Sequence, residues 1–234
     1  MLVGKGLIAS QFKHYTDNDD VVVFASGVSN SKETKRDEFD QEIKLIESYI
    51  PQKKIFVYFS TCSIFDDSLT DSNYVKHKLK IEKLIQSRFE RFLILRLPNM
   101  IGLTNNPNTF FNYFFEAILN GKSLIIQKYA IRYFMDVEDL PFILDIILKD
   151  EESMNTIINV SYNNPINIPE ILTFFEEEMG KKAMVSFVEK GSNYAVPNDY
   201  FNDLFSRKKG HAIVEAYTKN CIKKYIKLKS AGSH

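Results

Sequence analysis

Three side chains carry the most chemistry in this chain. Tyr74 and Lys78 stand four residues apart in the Lys- and Glu-rich run Tyr74 to Phe89, a spacing that puts both on one face of a helix. A lysine ammonium one turn away favours the phenolate and lowers a tyrosine pKa from about 10 toward working pH. Thr61 closes the apolar run that begins at Ile55, thirteen residues before Tyr74, and its hydroxyl can hold the oxygen of a substrate. Together the three suit proton transfer to or from a carbonyl or alcohol oxygen, coupled to hydride transfer. Cys62, beside Thr61, either packs as a small hydrophobe or lines the pocket.

A second constellation lies at the start. Leu2-Val3 runs into Gly4-Lys5-Gly6-Leu7-Ile8-Ala9, a G-x-G-x-x-A pattern. Gly4 permits a tight turn, Gly6 lets backbone approach a pyrophosphate, and Ala9 allows close packing. The segment that follows is expected to be a helix whose N-terminus faces the anion. The acidic ribose ligand expected about 20 residues past such glycines is missing. Ser26 stands there, in Ala25-Ser26-Gly27, while Asp17, Asp19 and Asp20 precede the strand instead of ending it. Lys32, Lys35 and Arg36 follow, read either as a solvated charge run or as partners for a 2′-phosphate.

Strands and helices must position these groups. Val21-Val22-Val23-Phe24, Ile55 to Phe59 and Phe92 to Leu95 are continuous apolar runs, the mark of parallel strands buried on both faces. Helical patterns at Asp37 to Tyr49 and Tyr74 to Phe89 lie between them. The alternation predicts an α/β fold, a Rossmann-like parallel sheet joined by right-handed crossovers. After Gly102 come a loop at 104–108, an aromatic helix at Phe110 to Phe115 read as core, a strand at Ile157 to Val160, and a helix from Pro169 to Met179 ended by Gly180. This predicts a sheet domain from 1–102 with 129–160 and a small α/β lobe from 103–128 with 161–229.

The composition agrees with that frame. The 234 residues include thirty basic and thirty acidic ones, with 44% hydrophobic and 26% charged, which excludes a disordered chain and a strongly basic nucleic-acid binder. Cys62 and Cys221 make no zinc spacing and no disulfide framework, so reduced thiols in a cytoplasmic protein are expected. No signal peptide is visible. The apolar runs Val21 to Ala25 and Phe92 to Leu97 are far short of the roughly 20 residues that span a bilayer, so no membrane partner is expected. His14, His77, His211 and His234 show no metal spacing and are assigned to the surface. Ser230 to His234 reads as a tag remnant.

Taken together, these motifs resemble the extended short-chain dehydrogenase/reductase superfamily, the NAD-dependent epimerase/dehydratase family that modifies nucleotide sugars. Gly4-x-Gly6-x-x-Ala9 resembles its glycine turn, and Val21 to Gly27 its strand beside the nicotinamide ribose. Thr61, Tyr74 and Lys78 match its catalytic Ser/Thr, Tyr and Lys. Arg96-Leu97-Pro98-Asn99-Met100-Ile101-Gly102 is similar to R-x-x-N-x-x-G, and Arg132 to Asp139 to R-D-F-x-x-V-x-D. The resemblance implies NAD or NADP, held by Gly4, Lys5, Gly6, Leu7, Ile8, Ala25, Ser26, Gly27, Lys78 and Pro98. It also implies a nucleotide-diphosphate sugar held by Ser63, Asn99 and Arg132, and a homodimer through helices 37–49 and 74–89.

The departures matter as much. If Val21 to Gly27 is the family's fourth strand, its second and third strands, which hold the adenosine half of the cofactor, are missing; the alternative is that this is a true second strand. The family's helix-borne asparagine has no clear counterpart, with Glu38 falling near its place. Thr61-Cys62-Ser63 lacks the acids of dehydratases, and Ser60-Thr61-x-x-Ile64-Phe65-Asp66 is similar to keto-deoxysugar reductases. The resemblance therefore implies NAD(P)H-dependent reduction of a nucleotide-activated keto sugar, with Tyr74 as general acid. A 4-epimerase with retained NAD and a non-catalytic nucleotide- or partner-binding member are the alternatives.

Overall fold

The computed structural model describes residues 1–209 and 216–231; His211 and His234, with most of the supposed tag, lie outside them. Its centre is an all-parallel sheet of β1 (Leu2–Val3), β2 (Val21–Phe24), β3 (Ile55–Thr61), β4 (Phe92–Leu97) and β9 (Thr156–Asn159), in the spatial order β1-β2-β3-β4-β9. The register runs Val3 to Phe24, Phe24 to Tyr58 and Tyr58 to Ile94. β2 and β3 are buried along their whole length, as continuous apolar runs require when both faces are covered.

The order settles which strand follows the glycine turn. In a doubly wound sheet the second strand lies on the far side of the first, and the order reverses there. Here β2 lies between β1 and β3, and β1 is an edge. Val21–Phe24 thus occupies the fourth-strand place, and the reading of it as a second strand is wrong.

Alternate residues of each strand serve two cores. Val22, Phe24, Phe56, Tyr58 and Ile94 face α1 (Arg36–Glu47) and α2 (Asn73–Arg88), which bury Ile46, Ile81 and Ile85. Val21, Val23, Val57, Leu93 and Leu95 face the other way, onto Phe12, Tyr15, α4 (Leu140–Leu148) and α6 (Asp199–Lys209). The β1–β2 connection therefore crosses on the face opposite α1, although both moves step in the same direction. Two such crossovers cannot share a hand. With β2-α1-β3 obeying the near-universal right-handed rule, the β1–β2 crossover is left-handed, against the expectation of right-handed crossovers throughout.

That connection is also not the expected α-helix. It forms two 3₁₀ turns, Ala9–Gln11 and Lys13–Tyr15. The residues explain this: Ala9, Phe12 and Tyr15 are buried and three apart, and a helix with three residues per turn puts such a series on one face.

The remaining elements gather largely around a second apolar core. They are β5 (Asn99–Ile101), α3 (Phe110–Leu119), β6 (Ser123–Gln127), β7 (Ile131–Arg132), β8 (Phe134–Asp136), β10 (Ile166–Asn167), α5 (Ile168–Met179), β11 (Met184–Val188) and α7 (Tyr217–Ala231). Phe111, Phe114 and Phe115 of the aromatic helix are core, packed with Phe175 and Tyr225. The Asp136 carboxylate accepts from Tyr225 at 2.5 Å and Lys224 at 2.9 Å, pinning α7 to β8. Ser230 and Ala231 belong to that helix. No helix among the described residues is long and apolar enough to cross a membrane.

Candidate functional site

Thr61 is the last residue of β3, and Tyr74 lies in the first turn of α2, the helix that follows that strand end. Thr61 Oγ1 accepts the Ser63 N–H at 3.0 Å, starting the 3₁₀ turn Cys62–Phe65. Both side chains are nearly buried, at 7% and 9% exposure. Burial pushes the Tyr74 phenol up to about 12, the nearby Glu42 charge adds to this, and a contact from the Thr61 hydroxyl opposes it.

Lys78 is the surprise. Its ammonium is buried and donates to the Tyr58 hydroxyl at 2.7 Å and to Glu42 Oε1 at 3.3 Å. It stands 5.8 Å from the Tyr74 ring centre. Around Tyr74 the lowering influence expected of Lys78 is opposed by burial and by the Glu42 charge. The cation is balanced by a buried carboxylate, and desolvation governs the phenol.

Glu42, from α1, is the hub of the arrangement. Its Oε1 also accepts the Tyr58 hydroxyl at 2.7 Å, and its Oε2 accepts the Val28 N–H at 2.8 Å and meets His77 Nε2 at 2.9 Å. Burial alone would raise its pKa, but Lys78, His77, Tyr58 and Val28 together hold it down to about 2. Glu38, the residue suggested for this place by sequence, is exposed one turn earlier. His77, assigned to the surface, is buried against Glu42 and the Phe39 ring. Sequence held a signal for Glu42: it falls on the inward stripe Phe39, Ile43, Ile46, where an acid needs a buried partner.

The glycine turn packs against this group. Gly4 has φ +125°, and a Cβ there would lie 2.6 Å from the Ala25 carbonyl carbon. On Gly27, a Cβ would stand 2.7 Å from Glu42 Oε1 and 2.8 Å from Lys78 Nζ. On Gly6 it would meet nothing within 4 Å. Lys5 and Gly6 are exposed, and the N–H groups of residues 5–8 take no intramolecular partner among the described residues.

Of the residues named for the substrate, Ser63 follows β3, Asn99 opens β5 just after β4, and Arg132 ends β7. Arg132 is four-fifths buried and pairs with Asp66 Oδ2 at 3.3 Å, while donating to the Ile131 carbonyl at 2.7 Å. Asn99 Nδ2 donates to the Tyr133 carbonyl at 3.1 Å. Ser63 and Pro98 are half-buried beside the strand ends. Arg96, the first residue of its motif, is tied bidentately to Glu82 at 2.9 and 2.6 Å. Cys62 is buried, donates to the Arg96 carbonyl, and has its thiol pushed up to about 12 by burial, the environment of a packed small side chain. Of the charge run, Lys32 lies over the Tyr113 ring and Arg36 makes an exposed pair with Asp40.

No family model and no curated protein matches the chain. Solved structures do. MoeE5 in complex with UDP-glucuronic acid and NAD is 15% identical with a TM-score of 0.72, covering 98% of this chain and 83% of its own. UDP-glucuronic acid 4-epimerase from Bacillus cereus is 19% identical with a TM-score of 0.67, covering 94% and 78%. A dTDP-4-dehydrorhamnose reductase from Clostridium acetobutylicum is 15% identical with a TM-score of 0.67, covering 95% and 86%. The chain thus has the Rossmann-like fold of these proteins, with a shortened first half of the sheet.

Proposed function

We propose that this protein reduces the keto group of a nucleotide-activated sugar with a nicotinamide dinucleotide, Tyr74 delivering the proton. One observation carries the choice of reduction. Lys78 is engaged by Glu42 and Tyr58, and burial of the Tyr74 phenol favours its protonated form. A protonated phenol beside the Thr61 hydroxyl suits donation to a forming alkoxide.

The residues fit one part of the cofactor. Free backbone N–H groups in the glycine turn, with open space at Gly6, suit a pyrophosphate. Gly4 to Ile8 would hold it there, with Ala25 to Gly27, Pro98 and the remaining Lys78 donor toward the nicotinamide ribose. The adenosine half has no counterpart, since β1 is an edge and no acid follows β2. When bound, the nicotinamide supplies hydride. Thr61 would hold the keto oxygen, and Tyr74 would protonate it. Arg132, oriented by Asp66, and Asn99 would anchor the substrate diphosphate with Ser63.

The 4-epimerase reading draws support from neighbours that bear that name. An epimerase keeps its dinucleotide through the whole cycle, which the missing adenosine side makes harder. A homodimer through α1 and α2 belongs to the same proposal.

The test supplies NADH or NADPH with a nucleoside-diphosphate 4-keto-6-deoxy sugar and follows nicotinamide oxidation. Stoichiometric oxidation supports reduction. Interconversion of sugars without net oxidation would mean epimerisation, and ligand binding without either would mean a non-catalytic member.

A further inference from the structure

The Glu42 network does more than fill the core. Four donors from three directions converge on one carboxylate that is 3% exposed: Val28 from the loop after β2, Tyr58 from β3, and His77 and Lys78 from α2. A buried acid costs several kcal/mol unless paired, so this geometry is specified. Gly27 confirms how closely the parts approach, because any side chain there would collide with both Glu42 and Lys78.

We propose that Glu42 is a positioning residue for the Tyr74 proton: its carboxylate holds the Lys78 ammonium against Tyr58, so that a self-cancelling ion pair, and not a bare cation, lies beside the phenol. The proposal rests on the reading of Tyr74 as a proton donor. The charged and titratable groups facing the phenol are Glu42 from α1, Cys62 from the turn after β3, and Lys78 with Tyr58 behind it; the Glu82–Arg96 pair lies one turn further along α2. The carboxylate lies 3.3 Å from the ammonium and so opposes its field at the Tyr74 ring 5.8 Å away. Removing the carboxylate charge leaves the ammonium uncompensated and able to stabilise a phenolate.

The experiment is an ultraviolet titration of tyrosinate, with each variant compared to its Tyr74→Phe counterpart so that Tyr74 is isolated among the 12 tyrosines. In Glu42→Gln, Tyr74 ionises at lower pH by one unit or more, which is at least about a tenfold change in its acid constant. In the double variant Glu42→Gln with Lys78→Met, it returns to the wild-type position. An unchanged titration in Glu42→Gln, or a double variant that fails to return, overturns the proposal. Should Glu42→Gln not fold, the double variant decides alone, since exchanging a buried ion pair for uncharged groups is commonly tolerated; a shift of a unit there overturns the idea. None of these readings needs turnover, so an inactive protein would refute the proposed reduction without touching this result.

Discussion

A Cβ on Gly4 would stand 2.6 Å from the carbonyl carbon of Ala25. The glycine turn is thereby packed against the end of β2, and Gly4 adopts a φ of +125° that side chains disfavour. Gly4→Ala is expected to destabilise the fold by about 1–3 kcal/mol. Gly6→Ala meets open space, so its thermal unfolding should match wild type within about 0.5 kcal/mol, while NADH binding weakens. Calorimetry beside a binding titration separates the two; equal stability losses would mean that both glycines serve the fold alone.

Tyr74→Phe should lower keto-sugar reduction by about 10²- to 10⁴-fold, the usual range for a lost general acid, and leave the melting temperature close to wild type. Turnover within a few-fold of wild type would remove Tyr74 from the chemistry.

Lys78→Met leaves the Glu42 carboxylate buried and without its cation. A loss of about 3–5 kcal/mol is expected, read by chemical denaturation. Combining it with Glu42→Gln should recover much of that loss, because the unpaired charge goes too. A double variant as unstable as the single would show that packing, not charge, holds α1 to α2.

Glu42 sets a direction for acid stability. Its folded pKa, held to about 2, lies below the ordinary 4.5. Between those values the unfolded chain binds a proton that the folded chain refuses, so stability rises with pH across that window and is lost as pH falls through it. Glu42→Gln should flatten the acid limb of a stability–pH curve, and an unchanged limb would contradict the assignment.

The missing adenosine side predicts poor discrimination between the two dinucleotides. The 2′-phosphate would lie where no strand follows β1 outward. Kd values for NADH and NADPH should agree within several-fold, and a hundredfold preference would mean that some other segment reads the ribose.

Much of this architecture was legible in the residues. Val21–Phe24 and Ile55–Phe59 declare doubly buried strands by their unbroken apolar character, and the likeness of Val21 to Gly27 to a fourth strand pointed to lost strands. Tyr74 and Lys78 were found by their spacing. Their electrostatics were not, because the sign of the effect depends on Glu42 arriving from another helix and on Tyr58 from a strand. The 3₁₀ path was missed although Ala9, Phe12 and Tyr15 spell its period, since a glycine pattern ahead of them argued for an α-helix. Arg132 and Asp66 were both visible, but their pairing across 66 residues of sequence was not.

The brevity of β1 has its own consequence. An interrupted sheet ordinarily presents a ladder of free amides that recruits foreign strands into aggregates. Here the bare margin is two residues long, Leu2–Val3, too short to template a partner. The brevity of β1 therefore leaves that edge of the central sheet without a sticky flank.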